Sequence, residues 1–162
     1  MDTNMKDIYI DQNIPLERQI ASLRQSSIDF QFNAFEVLEE KLGNEGIEIF
    51  KAILRRGFKK AIDKYKDRSF EDIKKVAGIA ERFLGFQTEL DHVKDDEVQY
   101  SITLCPFLEE SKVRGMDMNF CNIFEEVETE EVSQYLGEIS EPSRMCQGDS
   151  KCTIRIKNTL GK

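Results

Sequence analysis

Four cysteines, Cys105, Cys121, Cys146 and Cys152, are confined to the last third of a 162-residue chain that carries a single histidine. Thiols in such a group can hold a soft metal ion, cycle between thiol and disulfide, or fill a core as small apolar side chains. Their spacing, Cys105-x15-Cys121-x24-Cys146-x5-Cys152, is not the paired C-x2-C knuckle of a zinc ribbon. Context says more than spacing. Cys105 ends a strand-like run before Pro106, Cys121 follows an aromatic residue, and Cys146 and Cys152 bracket the segment QGDSK. Gly148 in that segment can take positive φ and fold the chain back, so that two thiolates converge and backbone N–H groups point at sulfur. Four thiolates would make a closed tetrahedral zinc site, with sulfur about 2.3 Å from the metal and no open position for a water. An iron–sulfur cluster takes the same ligands. Metal ligation is the preferred reading, zinc ahead of a cluster, with packing thiols and a redox pair as the alternatives. His92, between Asp91 and Val93, is expected at the surface and not on a metal. No residue is nominated as catalytic or as binding an organic cofactor.

The elements that must position these thiols follow from hydrophobic period. Pro15 is placed to open a helix through Leu16, Ile20, Leu23, Phe30, Ala34, Val37 and Leu38, with a break around Ser26 and Ser27 and an end at Gly43 to Gly46. Ile47, Phe50, Leu54, Phe58, Ala61 and Tyr65 recur at three or four residues and predict a second helix with a basic outer face. Ser69 is placed to cap a third, through Phe70, Ile73, Val76, Ala77, Ala80 and Phe83, with Asp72 as a weak capping box. A strand-like run, Ile8 to Ile10, precedes all of these. Beyond Gly85 the period changes to two. Phe86, Thr88 and Leu90, then Val98, Tyr100, Ile102 and Leu104, predict a hairpin whose second strand delivers Cys105. A glutamate-rich helix is expected over Thr129 to Leu136, and a last strand over Cys152 to Lys157. The fold class is α+β: one domain, residues 1–162, with 1–85 mainly helical and 86–162 holding an antiparallel sheet and the cysteine site.

Composition narrows the function classes. With 40% hydrophobic and 33% charged residues the chain can build one core without disulfide staples. A formal charge of −8 argues against a dedicated nucleic-acid or anionic-membrane binder. No run approaches the roughly 18 apolar residues of a membrane span, and the start, MDTNMKDIYIDQNIPL, lacks the roughly 7 to 15 residue apolar run of a secretory signal. A cytoplasmic chain with reduced thiols is therefore expected. Charge is uneven: residues 51–75 hold ten Lys or Arg against four acids, and residues 105–145 hold three against ten. The basic helix reads as a solvated face, and the complementary halves could pair head to tail in a homodimer. Glu125, Glu126, Glu128, Glu130 and Glu131 likewise read as a solvated helix face.

From about Val98 to Ile156, ITLCPF, NFCNIFEE and MCQGDSKCTIRI together resemble the 4-vinyl-reductase-type domain group. That group takes in the proteins named after L-2-amino-thiazoline-4-carboxylic acid hydrolase and the output domain of methanogen sensory regulators. The resemblance implies an archaeal-like signalling domain in which helices pack on an antiparallel sheet around a small-molecule pocket. In aromatic-sensing regulators of the group, cysteines and one glutamate hold a zinc beside that pocket. Carried over, Cys146 and Cys152 match the final pair with its Gly148 and Asp149, and Cys121 matches an upstream cysteine. Cys105 stands as a fourth sulfur in place of a carboxylate, so an all-sulfur site is implied. The expected partner is a small apolar or aromatic ligand, oriented by Tyr100 or a nearby polar group. A metal- or iron–sulfur-dependent reductase or hydrolase, drawing on carboxylates such as Glu109 or Glu110, is the alternative, as is a cysteine redox switch. The sequence itself carries no Gly-rich dinucleotide fingerprint and no Ser, His and Asp set.

Overall fold

A computed structural model describes residues 14–116 and 119–161; the Ile8 to Ile10 run and the side chain of Ala80 lie outside the described residues. The first helix, α1 (Leu16–Leu42), starts directly after Pro15 and runs unbroken past Ser26 and Ser27. The expected break is absent because Ile28 and Phe32 pack into the core immediately beyond it and hold the helix through that turn. The buried stripe is Ile28, Phe32 and Phe35, whereas Leu23 and Phe30 are 71% and 73% exposed. The next helix, α2 (Asn44–Ile62), leaves Gly43 at φ 57° and lies hard against α1. A Cβ on Gly46 would stand 1.9 Å from the Leu38 carbonyl oxygen, so glycine is what allows the approach.

Ser69 caps α3 (Phe70–Val76), its Oγ accepting the Asp72 N–H and donating to the Asp72 carboxylate. The expected third helix does not continue through Ala77. It stops there and restarts as α4 (Ile79–Phe83), because Gly78 adopts φ 74° where a side chain would press on Thr88 and Tyr100. Phe83 is consequently 73% exposed and not core.

The sheet is four-stranded and antiparallel, in the order β1 (Gln87–Val93), β2 (Glu97–Leu104), β4 (Cys152–Lys157), β3 (Glu138–Ser143). The hairpin β1–β2 and the last strand fall where period two places them. Three elements of the second half are additions to the sequence reading: α5 (Pro106–Arg114), the edge strand β3, and nearly three turns at the start of α6 (Asn119–Leu136), which begins well before Thr129. Residues 86–162 are thus as much helix as sheet.

Helices α1, α2, α5 and α6 share one aromatic core around Phe120, stacked at 4.1 Å on Phe32 and edge-on to Phe35 at 5.6 Å. Val98, Tyr100, Ile102, Ile154 and Ile156 of the sheet share a second core with Phe70 and Ile73 of α3. Phe86 and Cys105 touch both. The basic and acidic stretches meet within one chain: Lys51 reaches Glu126 at 2.9 Å and Arg55 reaches Glu130 at 2.8 Å, from α2 to α6. None of the described helices is long and apolar enough to cross a membrane.

Candidate functional site

Sheet register explains why the cysteines gather at one end of the molecule. Ile102 of β2 faces Cys152 of β4, so the start of β4 lies beside the end of β2, where Cys105 follows. Ser143 at the end of β3 faces Thr153, which brings the short 3-10 turn Met145–Gln147, with Cys146, to the same end. Gly148 takes φ 100° as the sequence expects, and Asp149 closes the turn by accepting the Arg144 N–H at 2.7 Å. The Gly-Asp pair is therefore a clamp that holds Cys146 beside Cys152. Cys121 sits in the first turn of α6 and not near a strand end, reaching the cluster from the helical side.

Each of three sulfurs meets a hydrogen-bond donor. Cys105 caps α5, accepting the Leu108 N–H at 3.4 Å, and Cys152 accepts the Met145 N–H at 3.3 Å. The Arg144 guanidinium lies 3.7 Å from Cys121 Sγ. The thiols also act on one another: Cys146 bears on Cys105, Cys121 and Cys152, and Cys105 is coupled to Cys152 and Cys121. Burial pushes the Cys105 thiol up to about 11, and burial is likewise the leading cause of the upward shifts at Cys121 and Cys152. These three are neutral thiols near pH 7, unlike the depressed thiolates of redox-active sites. The four share one neighbourhood, yet among the described residues no three His, Cys, Asp or Glu side chains stand together as a set that could hold a metal ion. Donors aimed at sulfur are the surroundings that a thiolate ligand needs, and in that respect the residues fit a soft metal. His92 is elsewhere, with its Nε2 2.7 Å from Glu97 on the hairpin.

Next to the cysteines, between the helices and the sheet, lies a cavity of about 310 Å³. Cys105, Cys121 and Cys152 form part of its wall, and Tyr100, Ile102, Ile154 and Ile156 of the sheet form another. Phe58 of α2 and the nearby Tyr65 supply aromatic surface as expected; α3 contributes aliphatic Ile73 and Val76, and further rings come from Phe86, from Phe107 on α5 and from Phe120 and Phe124 on α6. Such a lining, mostly apolar with few polar groups, is what small-ligand sites have.

The polar groups in the wall are the residues that sequence reasoning missed. Glu81, Glu125, Glu128 and Glu141 all line the cavity. Glu125 and Glu141 are held by Arg144, an ion pair with the first and a 3.5 Å contact with the second. Tyr100 donates its hydroxyl to Glu81 Oε1, while Glu81 Oε2 is buried without any hydrogen-bond partner. Glu128 is half-buried in the cavity wall; burial first, then the charges of Glu81, Glu141 and Glu125, push its carboxyl up to about 8. Burial and the charge of Glu125 push Glu141 up to about 7. The solvated-face reading of α6 is thus corrected: Glu126 and Glu130 face α2, whereas Glu125 and Glu128 turn inward. The helical spacing of Cys121, Glu125, Glu128 and Val132 was the available signal, since those positions share one face. Glu109 and Glu110, the carboxylates considered for catalysis, pair with Lys112 and Arg114 on α5. No family model matches the chain, and no curated protein matches it.

Proposed function

We propose that the chain is a small-molecule-binding sensor or adaptor domain of the 4-vinyl-reductase type, with a structural metal held by Cys105, Cys121, Cys146 and Cys152. The cavity carries the reading: an apolar chamber between helices and sheet, walled on one side by three of the four cysteines. Its size sits at the small end of ligand pockets, which suits a molecule of one or two rings. Zinc is the preferred metal and an iron–sulfur cluster the alternative; either would tie α6 and the 3-10 turn to the ends of β2 and β4. A metal closed by four thiolates offers no site for an activated water, which supports binding without turnover. Raised thiol pKa values weigh against the redox switch.

One observation favours the enzyme alternative. A carboxyl near 8, facing an apolar chamber, is the form a general acid takes. The test is a thermal-shift titration of the anaerobically purified protein with phenol and 2-phenylethanol, alongside elemental analysis and an absorption spectrum. A ligand at 100 times its Kd should add about 2.7 kcal/mol, or roughly 5–11 °C in Tm. No shift with either probe at saturating solubility would refute the pocket reading, and consumption of a probe would favour the enzyme.

A further inference from the structure

Resting on the ligand-binding reading above, we propose that the cavity selects a small apolar molecule bearing a primary ammonium group, seated against Glu81 and Glu128. The argument is one of charge inventory. Every charged side chain in the cavity wall is a glutamate; among the described residues no Lys, Arg or His lines it. Arg144 answers two of the four, Glu125 and Glu141. Glu81 and Glu128 are left without a cation, in a chamber whose other walls are aromatic and aliphatic.

Neither is satisfied by the fold. Glu81 spends Oε1 on the Tyr100 hydroxyl and keeps Oε2 buried and unpartnered, and Glu128 makes no hydrogen bond or ion pair with any described residue. Buried acceptors are nearly always paired in native proteins, so an orphan beside a cavity marks a place where something outside the chain donates. A primary ammonium brings three N–H donors and the charge that both carboxylates lack. The rings of Tyr100, Phe58 and Phe124 in the same wall favour a cation over an anion as well. A carboxylate or phosphate ligand would meet four acidic side chains and one guanidinium already engaged.

Proton release follows. Glu128 faces Glu81 from α4, Glu141 from β3, Tyr100 from β2 and Glu125 from its own helix, and this surrounding keeps it protonated at neutral pH. An ammonium docked there favours the carboxylate and expels the proton. Neutral ligands leave it in place.

The experiment is calorimetric titration of the full chain at pH 7 with three matched probes: 2-phenylethylamine, 2-phenylethanol and phenylacetate. The amine should bind at least about tenfold more tightly than the alcohol, and phenylacetate least, since a hydrogen bond to a charged partner is worth about 10- to 100-fold. Repeating the amine titration in buffers of different ionisation enthalpy should show proton release, absent with the alcohol. Glu81→Gln and Glu128→Gln keep side-chain size and should each remove the amine preference, the amine then binding no more tightly than the alcohol. If the alcohol or phenylacetate binds as well as the amine, the cationic selectivity is wrong and the pocket reading stands. If none of the three binds, the pocket reading falls and this proposal with it.

Discussion

Replacing Glu128 with glutamine should make the protein more stable at neutral pH, and the size of the gain can be worked from its surroundings. The carboxyl titrates near 8 in the fold against 4.5 for the free side chain. Between those values the unfolded chain has lost the proton that the folded chain retains. Stability therefore falls as pH rises through this window, by about 1.4 kcal/mol per pH unit, and levels off above about 8. At pH 7 the accumulated loss is about 3 kcal/mol, and below about 4.5 it vanishes. Glutamine has nearly the same shape and no proton to lose, and among the described residues Glu128 has no hydrogen-bond partner for it to forfeit. Urea unfolding of both proteins from pH 4 to 9 should give curves that coincide at the acid end. They should diverge until the variant leads by about 3 kcal/mol at pH 7, or roughly 6–12 °C in Tm. Glu141 adds a similar slope to both proteins, so the difference isolates Glu128. Parallel curves across the window would show that Glu128 ionises freely, and the charge argument for the cavity would lose its basis.

On the proposed metal-site reading, chelation, or replacing Cys152 with serine, should lower Tm by roughly 8–16 °C, as loss of a structural metal would cost about 4 kcal/mol or more in a chain of this size; an unchanged melting curve after complete chelation would refute a structural role. Gly137→Ala should destabilise by at least about 1–3 kcal/mol, because that residue holds φ 115° between α6 and β3 and a Cβ there would stand 2.1 Å from the Lys157 carbonyl oxygen; chemical denaturation within about 0.5 kcal/mol of the parent would contradict the turn geometry. Phe120→Ala, at the centre of the helical core, should cost about 3–5 kcal/mol in the same assay, and a cost under about 1 kcal/mol would mean that the ring stack is not the core.

How much of the fold could be read from the sequence depended on whether local pattern and tertiary environment agreed. The hairpin, the last strand, α2 and the Ser69 cap were legible because period and capping chemistry are local signals that the packing leaves intact. The face of α1 was not. Leu16, Leu23, Phe30 and Val37 recur every seven residues and look like a buried seam, yet it is Ile28, Phe32 and Phe35, one face over, that meet Phe50 and Phe120. Both stripes are apolar, and only the position of a distant helix chooses between them. Strand β3 was hidden for a different reason: it carries Pro142 and pairs on one side only, so its sequence never needed to look like a central strand.

The candidate site divides the same way. The cysteines announced themselves by residue type, and Gly148 by its place in a tight turn, so their shared end of the molecule could be anticipated before register showed how β2 and β4 bring Cys105 and Cys152 together. The glutamates could not, because a glutamate facing water and one facing a cavity are the same letter. Glu81 became a site residue through Gly78, which breaks the expected helix and lets α4 carry that carboxylate under Tyr100. Glu128 became one because α6 is nearly three turns longer at its start than its glutamate-rich half suggests, and the added turns anchor Phe120 and Ile123 in the interior. Once those are fixed, a helix of 3.6 residues per turn has no freedom left in where it points Glu128. The burial of that charge is a consequence of how the cysteine end is held, and so the chemistry of the cavity and the integrity of the thiol cluster should be lost together when α6 is displaced.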